Sequence, residues 1–568
     1  MKSRHKPTAR AGVHLHAVAA ATLLAMAGGA QAFEFDLGDS GLKLRWDNTV
    51  RYNLGTRIEA QDKRILANAA YDESDSKFDR GDIVANRLDL LSEIDLNYRN
   101  MVGGRLVASG WYDAAYRDRK VTSPAGTVTS YRDNEYNSTV KRYVNGPSGE
   151  FLDAFVWGNF NLGEVPVNVK LGRHTIVWGE GLLIGGHAIS YSQAPIDGVK
   201  AVASPGIETK EVFLPLGQLS FKAQLTSKLA LAGQYFYEWE PTRVPNAGTY
   251  LMGADTSPNV DRLGLNAALS AARVDPLTPK QSGNWGLSAR MDVDAIDSTV
   301  GLYYRKFNDY TPETGIQFRS FTQLVPGNPA TTVPTSFRFV YAQDVKVIGL
   351  SLARSLGPVS FGSELSLRQN AHLNSKTTYL PTQDTGARGD TLHFVANGVY
   401  LLPKSPVWDT GSLIAEFAYS HLQKITANEA LYRGVGYAGC TSAPTAGATR
   451  DKKDACSTRD FYQMAVNFTP QYLGLFPSWD LDVPLAINYG IKGVAPTGGG
   501  GFEKLLSWSV GAKMTYSQKH EFSLRYSDLS VPTKYNATGT AVTGGGALGS
   551  SVGATDRGWL AFTYKTSF

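Results

Sequence analysis

Arg87-Leu88-Asp89-Leu90-Leu91-Ser92-Glu93-Ile94-Asp95-Leu96-Asn97-Tyr98-Arg99 is the stretch that decides the fold. Leu88, Leu90, Ser92, Ile94, Leu96 and Tyr98 share one parity. Arg87, Asp89, Glu93, Asp95, Asn97 and Arg99 share the other, with Leu91 among them. A β-strand turns successive side chains to opposite faces, so this segment has one apolar face and one charged face. The same period recurs along the chain. Trp508, Val510, Ala512, Met514 and Tyr516 alternate with Ser507, Ser509, Gly511, Lys513 and Thr515. Phe522, Leu524 and Tyr526 alternate with Ser523, Arg525 and Ser527, and Leu413, Ala415, Phe417 and Tyr419 with Ile414, Glu416, Ala418 and Ser420. A soluble β-sandwich with one wet face is the competing reading. The apolar faces often end in Tyr or Trp, as the aromatic girdle of a membrane barrel does, and this favours the barrel.

The connections between these segments alternate in length. Short ones fall near 100–103, 162–165, 226–229, 295–299, 356–359, 403–410, 475–481 and 517–520. Long ones fall near 59–84, 120–149, 175–207, 240–283, 312–335, 372–389, 424–459, 492–503 and 532–556. Short periplasmic turns and long external loops are the asymmetry of an outer-membrane barrel. The expected fold is therefore an all-β, transmembrane antiparallel β-barrel of about eighteen strands, with sixteen as the alternative, both chain ends facing the periplasm. Composition agrees: 28 Tyr, 24 Phe and 58 Gly with only 19% charged residues, in short alternating segments, suit a barrel.

Residues 1–32 read as a secretory signal peptide. Lys2, Arg4, Lys6 and Arg10 precede an apolar run from Val13 to Ala27, and Ala30-Gln31-Ala32 is a small-x-small cleavage site. His14, His16 and Gly28-Gly29 interrupt the run, against a spanning helix. Those basic residues account for four of the chain's net charge of +5, so the remaining chain is nearly neutral and gives no ground for nucleic-acid binding. Residues 33–568 read as a single barrel domain. Export also suits Cys440 and Cys456, which are expected to staple a long external connection by a disulfide worth about 3 kcal/mol in the chain-entropy model. No second cysteine pair or nearby histidine accompanies them, against a metal site.

The third long connection differs from the rest. Its residues Leu182, Leu183, Ile184, Ile189 and Val199 are apolar and charges are few. An apolar loop standing in water would be an exposed patch, so residues 176–207 are expected to fold into the lumen and narrow it. Trp178, Leu182, Leu183, Ile184, Ile189 and Tyr191 are the candidate ligand contacts of this pore loop. An external interaction patch or an inert plug are its blander readings. Arg290, Arg305, Arg368, Lys513 and Arg525, with Glu364 and Glu416, fall on inward faces. There they can set a transverse field across a wet pore, or simply be solvated and paired across strands. Enzymatic motifs are missing: no G-x-S-x-G elbow, phosphate-cradling Gly loop, H-E-x-x-H, C-x-x-C or EF-hand is present, and His174, His187 and His393 read as packing or hydrogen-bonding residues. No cofactor or metal is expected.

Leu171-Gly172-Arg173-His174-Thr175-Ile176-Val177-Trp178-Gly179-Glu180 resembles the signature of a large proteobacterial family catalogued as domain of unknown function number 1302. Pro205-Gly206, Lys210-Glu211, Leu214-Pro215, Tyr237-Glu238-Trp239-Glu240-Pro241-Thr242-Arg243 and Gly248-Thr249-Tyr250 extend the resemblance, with His174 in place of a commoner Gln. The resemblance implies an outer-membrane location and a part in moving hydrophobic or amphipathic molecules such as steroids, aromatics or lipids, alone or with a periplasmic or inner-membrane transporter partner. It brings no catalytic residues. Arg173 and Glu180 stand where the fifth strand meets the apolar loop and can pin it to the wall. The terminal alternation Leu560, Phe562, Tyr564, Thr566, Phe568 resembles the signal read by the barrel-assembly machinery, with outer-membrane lipid as the other partner. A channel is the leading expectation. A non-conducting component of an envelope complex is the second, and a membrane-embedded hydrolase, without support in the sequence, the third.

Overall fold

The computed structural model describes residues 33–36, 40–441 and 448–568, so the leader assigned to residues 1–32 lies outside the described residues. Eighteen strands form one closed antiparallel barrel. They are β1 (Leu42–Arg57), β2 (Ile83–Tyr98), β3 (Val102–Asp113), β4 (Ser148–Leu162), β5 (Val165–His174) and β6 (Leu216–Gln224). Next come β7 (Leu229–Phe236), β8 (Trp285–Val293), β9 (Ser298–Phe307), β10 (Val345–Leu356), β11 (Val359–His372) and β12 (Arg388–Leu401). The last are β13 (Thr410–Ala427), β14 (Asp460–Phe476), β15 (Trp479–Asp482 and Leu485–Lys492), β16 (Leu506–Tyr516), β17 (His520–Ser530) and β18 (Trp559–Ser567). Each pairs with its sequence neighbours, and β18 closes on β1 with Tyr564 opposite Tyr52. A short strand, Phe33–Asp36, pairs beside the start of β1.

The break in β15 has a simple cause. Pro484 has no N–H to give to the ladder. The wall stays continuous across it, because Val483 donates its N–H to Pro470 O (3.0 Å) and Gly511 donates to Pro484 O (3.0 Å).

The barrel is inside-out relative to a water-soluble sheet. On β2, Arg87 and Asp89 are 1% and 3% exposed, whereas Leu88 and Leu90 are 40% and 45% exposed. Exposed apolar side chains recur around the wall, at Leu171, Leu302, Leu350, Leu524 and Phe562 among others. A continuous apolar belt of this extent needs lipid, and a closed barrel leaves no strand edge unpaired within it.

The long connections all leave from one rim, and they do more than cover it. Phe78, Tyr116, Tyr131, Tyr136, Tyr250 and Phe337 pack with Trp559 and Ala561 of β18 into a buried aromatic core at the barrel mouth. Tyr131 and Tyr136 donate their hydroxyls to Ala247 O (2.7 Å) and Gly248 O (2.6 Å), tying the second external connection to the fourth. The connection expected as a loop near 312–335 contains instead a β-hairpin, Pro312–Gln323 with Thr332–Tyr341, which joins a five-stranded external sheet. Cys440 and Cys456 are disulfide-bonded, with Cα atoms 5.8 Å apart, in the connection between β13 and β14.

Candidate functional site: a pore loop pinned inside the barrel

The connection from β5 to β6 lies in the lumen. From Thr175 to Pro195 it holds no helix or strand, so its amides and carbonyls lack regular partners. The wall supplies them. Glu364 of β11 accepts N–H bonds from Glu180, Gly181 (2.8 Å) and Ile189 (2.7 Å). Glu416 of β13 accepts from Leu182 (2.6 Å), Leu183 (2.9 Å) and Ile184. Arg305 of β9 donates to the carbonyls of Ile189 (2.8 Å), Tyr191 (2.8 Å) and Ser192 (2.7 Å). Arg368 of β11 donates to Gly186 O (2.8 Å) and Ala188 O (2.9 Å). Two anions thus hold the donors of the loop backbone and two cations hold its acceptors. Gly179, at φ 99°, follows from this grip: a Cβ there would collide with the Glu364 carboxylate.

This corrects the expectation that these four charges set a field across open water. All four are buried and committed to the loop. An uncompensated charge in a dry interior is costly, and backbone dipoles are what neutralise these. Of the others, Arg290 pairs with Glu180 (3.1 Å) and Lys513 with Asp482 (2.8 Å). Arg525 has no ion pair among the described residues.

The second half of the connection is helical at Gly198–Ala203 and Thr209–Val212 and is held by side chains. Arg51 makes a two-point bond to Glu211 (2.9 and 3.1 Å), and Lys200 donates to Glu150 (2.6 Å) and Ser109 (3.2 Å). Ser204 accepts from Arg51 Nε (2.9 Å) and donates to Asp89 (2.8 Å).

The loop divides the lumen. Above it lies a cavity of about 1460 Å³, whose boundary includes Leu183, Ile184 and Tyr191 of the loop with Phe502, Leu505 and His372. Below lies a cavity of about 550 Å³ bounded by Glu180 and Leu182, with Asp292, Asp294, Arg354 and Asn397. Leu183 therefore meets the outer chamber and Leu182 the inner. Two of the expected ligand contacts are not available to a ligand. Trp178 packs against Tyr303, and Ile189 is fully buried beside both, because they fill the space between loop and wall. Tyr191 borders the outer chamber but donates its hydroxyl to Asp309 (2.5 Å) and lies under the Arg368 guanidinium.

Sequence reasoning missed the histidine chain that latches the loop. His187 of the loop and His393 of β12 have their Nδ1 atoms 3.0 Å apart. His187 Nε2 is 2.8 Å from Gly500 O and so donates to it, which leaves its Nδ1 to accept from His393. His393 Nε2 in turn accepts from the Thr391 hydroxyl (2.8 Å). No short motif marks such a pair, whose members are 206 residues apart.

A single family model, described as "Protein of unknown function (DUF1302)", matches residues 14–568. The chain belongs to this DUF1302 family. Among solved structures, the chain is similar to OccAB1 of Acinetobacter baumannii at 9% identity and TM-score 0.42, covering 95% of this chain and 99% of that one. It is similar to the outer membrane protein OpdK of Pseudomonas aeruginosa at 8% identity and TM-score 0.39, covering 92% and 98%. Salmonella typhi OmpF is similar at 9% identity and TM-score 0.35, covering 94% and 100%. No curated protein matches the sequence.

In this DUF1302 chain the stretches that carry the resemblance meet one another. Arg173 pairs with Glu238 (3.1 Å) and Glu240 (3.4 Å), and Arg243 pairs with Asp197 (2.9 Å) and Glu150 (2.8 Å). Arg173 and Glu180 hold different neighbours, Glu180 facing Arg290. His174 Nε2 is 2.7 Å from Ser220 Oγ, the arrangement a hydrolase reading would require. Its Nδ1 is 3.0 Å from the Gly172 carbonyl, a backbone group standing where a triad would place a carboxylate, and both side chains are buried. Among the described residues no group of His, Cys, Asp or Glu is placed to hold a metal ion.

Proposed function

We propose that this protein is a channel in the outer membrane of a Gram-negative bacterium for hydrophobic or amphipathic small molecules, steroid-, aromatic- or lipid-like, working passively or with a periplasmic partner. Insertion would go through the barrel-assembly machinery and the strand ending in Phe568. The reading rests on one observation above the others: residues 180–192 are held in the lumen by Glu364, Glu416, Arg305 and Arg368, with Leu183 on one side and Leu182 on the other. Apolar side chains at the narrow level of a polar barrel favour a solute with an apolar body.

Deleting residues 181–200 tests this in planar bilayers and in uptake by whole cells. The expected result is a conductance several-fold higher, with lost discrimination between amphiphiles and small ions. Unchanged conductance and uptake would remove the gating role. The packed aromatic core at the mouth favours a second reading, a non-conducting component of an envelope complex. Purified protein that stays silent in bilayers, with and without amphipathic solutes, selects that one.

A further inference from the structure

The loop does not fill the barrel evenly. Its hydrogen bonds and ion pairs reach β1, β2, β3 and β4, then β7 to β13, and β18. Among the described residues, none of these bonds reaches β14, β15, β16 or β17; β14 is covered instead by packing, Ile184 against Ala465 and the His187 ring beside Phe461. Inward residues of the contacted strands are buried, such as Asn53, Ser366, Ala418 and Ser420. Those of the uncontacted wall stay open to the lumen: Asn488, Ser507, Ser509, Gly511, Ser523 and Ser527 are none of them buried. A lane three strands wide thus runs beside the pinned loop. Its wall is small and polar, and its outer end, at Asn488 and Ser507, opens into the large chamber beside Phe502 and Leu505.

Arg525 stands in the middle of this lane. It is inward by alternation with Leu524, which is exposed to lipid, and its ladder partners are Gly511 and Ala561, neither of which can cover it. Among the described residues no carboxylate pairs with it, and its Nε has no hydrogen-bond partner. The other cation of the lane, Lys513, is paired with Asp482. The contrast with Arg305, Arg368 and Arg51 is direct, since each of those donates to the loop, Arg368 through both terminal nitrogens with only its Nε left over, whereas Arg525 has no ion pair at all among the described residues. A half-enclosed guanidinium facing a channel without a counter-charge is unfavourable unless a passing anion supplies one.

We propose that the lane along β15 to β17 is the binding and transfer path, and that Arg525 recognises the anionic head of an amphipathic ligand, a carboxylate or sulfonate on an apolar body. The planar fork of arginine suits a two-oxygen anion. Arg525 lies level with Gly511, four residues below Ser507, or about 13 Å along the strand, so a body of that length reaches the apolar floor of the outer chamber while the head sits at Arg525. This rests on the channel reading above and adds a specificity-determining residue and a ligand class to it.

The test uses decanesulfonate, always ionised, against decyltrimethylammonium, its cationic counterpart. Two readouts are taken: block of single-channel current, and binding to the protein in lipid nanodiscs corrected for empty discs. The expected result is that the sulfonate blocks and binds while the ammonium does not. Arg525→Gln weakens the sulfonate by about tenfold or more, and Arg525→Lys, keeping the charge but not the fork, falls between. A Ser509→Phe variant, which obstructs the lane and leaves Arg525 intact, also weakens both readouts. Equal sulfonate affinity in wild type and Arg525→Gln, with both variants inserted and closed as barrels, overturns the proposal. Sulfonate binding that depends on Arg525 without any current would instead leave this site standing and remove the channel reading.

Discussion

At the scale of single residues, the lumen is organised by what carboxylates and guanidinium groups can do for an unpaired backbone. Glu416 takes three consecutive amides, those of Leu182, Leu183 and Ile184, and also accepts from Asn397 (3.1 Å). Glu416→Gln keeps the size but turns one oxygen into a donor that faces donors. The loop should lose about 2–3 kcal/mol of local stability from weakened charge-assisted bonds and one repelled contact. Hydrogen exchange of the amides of residues 182–184 reads this directly, and exchange as slow as in wild type would show that the carboxylate charge is not what holds them. The inward position of Glu416 was legible from its alternation with Ala415 and Phe417. Its partner was not: sequence periodicity gives the face of a strand, and which distant backbone meets that face is a matter of tertiary packing. The same limit explains Trp178 and Ile189. Their apolarity was plain, but apolar side chains at a loop–wall contact and at a ligand surface look alike in sequence.

At the scale of elements, the short turns were legible because strand alternation stops where they begin, whereas the long connections hid a second layer of structure. The aromatic core at the mouth draws Phe78 from the first connection, Tyr131 from the second and Tyr250 from the fourth, segments too far apart in sequence to show a common period. Beside it, Asp255 accepts N–H bonds from Glu73 (3.0 Å) and Ser74 (3.1 Å), while Glu73 accepts from Ser130 (2.6 Å). Burial raises Glu73 to about 8, helped by the charge of Asp255, and raises Asp255 to about 7, helped by Asp72. Both carboxyls bind protons more tightly in the folded cap than in an open loop. Their contribution is therefore complete at acid pH, below the ordinary carboxyl range, and is lost as pH rises through about 7 and then about 8. Lys77, pushed down to about 8 by burial, sheds its charge at the top of that window and offsets part of the loss there. Protection factors for residues 72–75 and 247–261, corrected for intrinsic exchange, should fall between pH 6 and pH 8.5. Constant protection across that range would mean the cluster does not hold the cap.

At the scale of the whole molecule, alternation carried the eighteen-strand count because every strand in a lipid-embedded barrel obeys the same rule: apolar outward, polar or covered inward. Nothing in a single strand says where the lumen is filled and where it is open, since that depends on which strands the third connection happens to reach. The rule itself makes a paired prediction at neighbouring positions of β17. Leu524 is 48% exposed on the outer face, in the middle of the strand, and Ser523 faces the lumen beside Lys513. Leu524→Arg places a cation near the bilayer midplane and should cost about 2–4 kcal/mol in urea unfolding from lipid bilayers, whereas the same arginine at Ser523 meets water and should cost less than about 1 kcal/mol. In a water-soluble barrel the order would reverse, because an outer arginine would be solvated and an inner one crowded. The sign of the difference between two adjacent substitutions therefore decides the membrane assignment without reference to any ligand, and equal costs at the two positions would count against a lipid-facing wall.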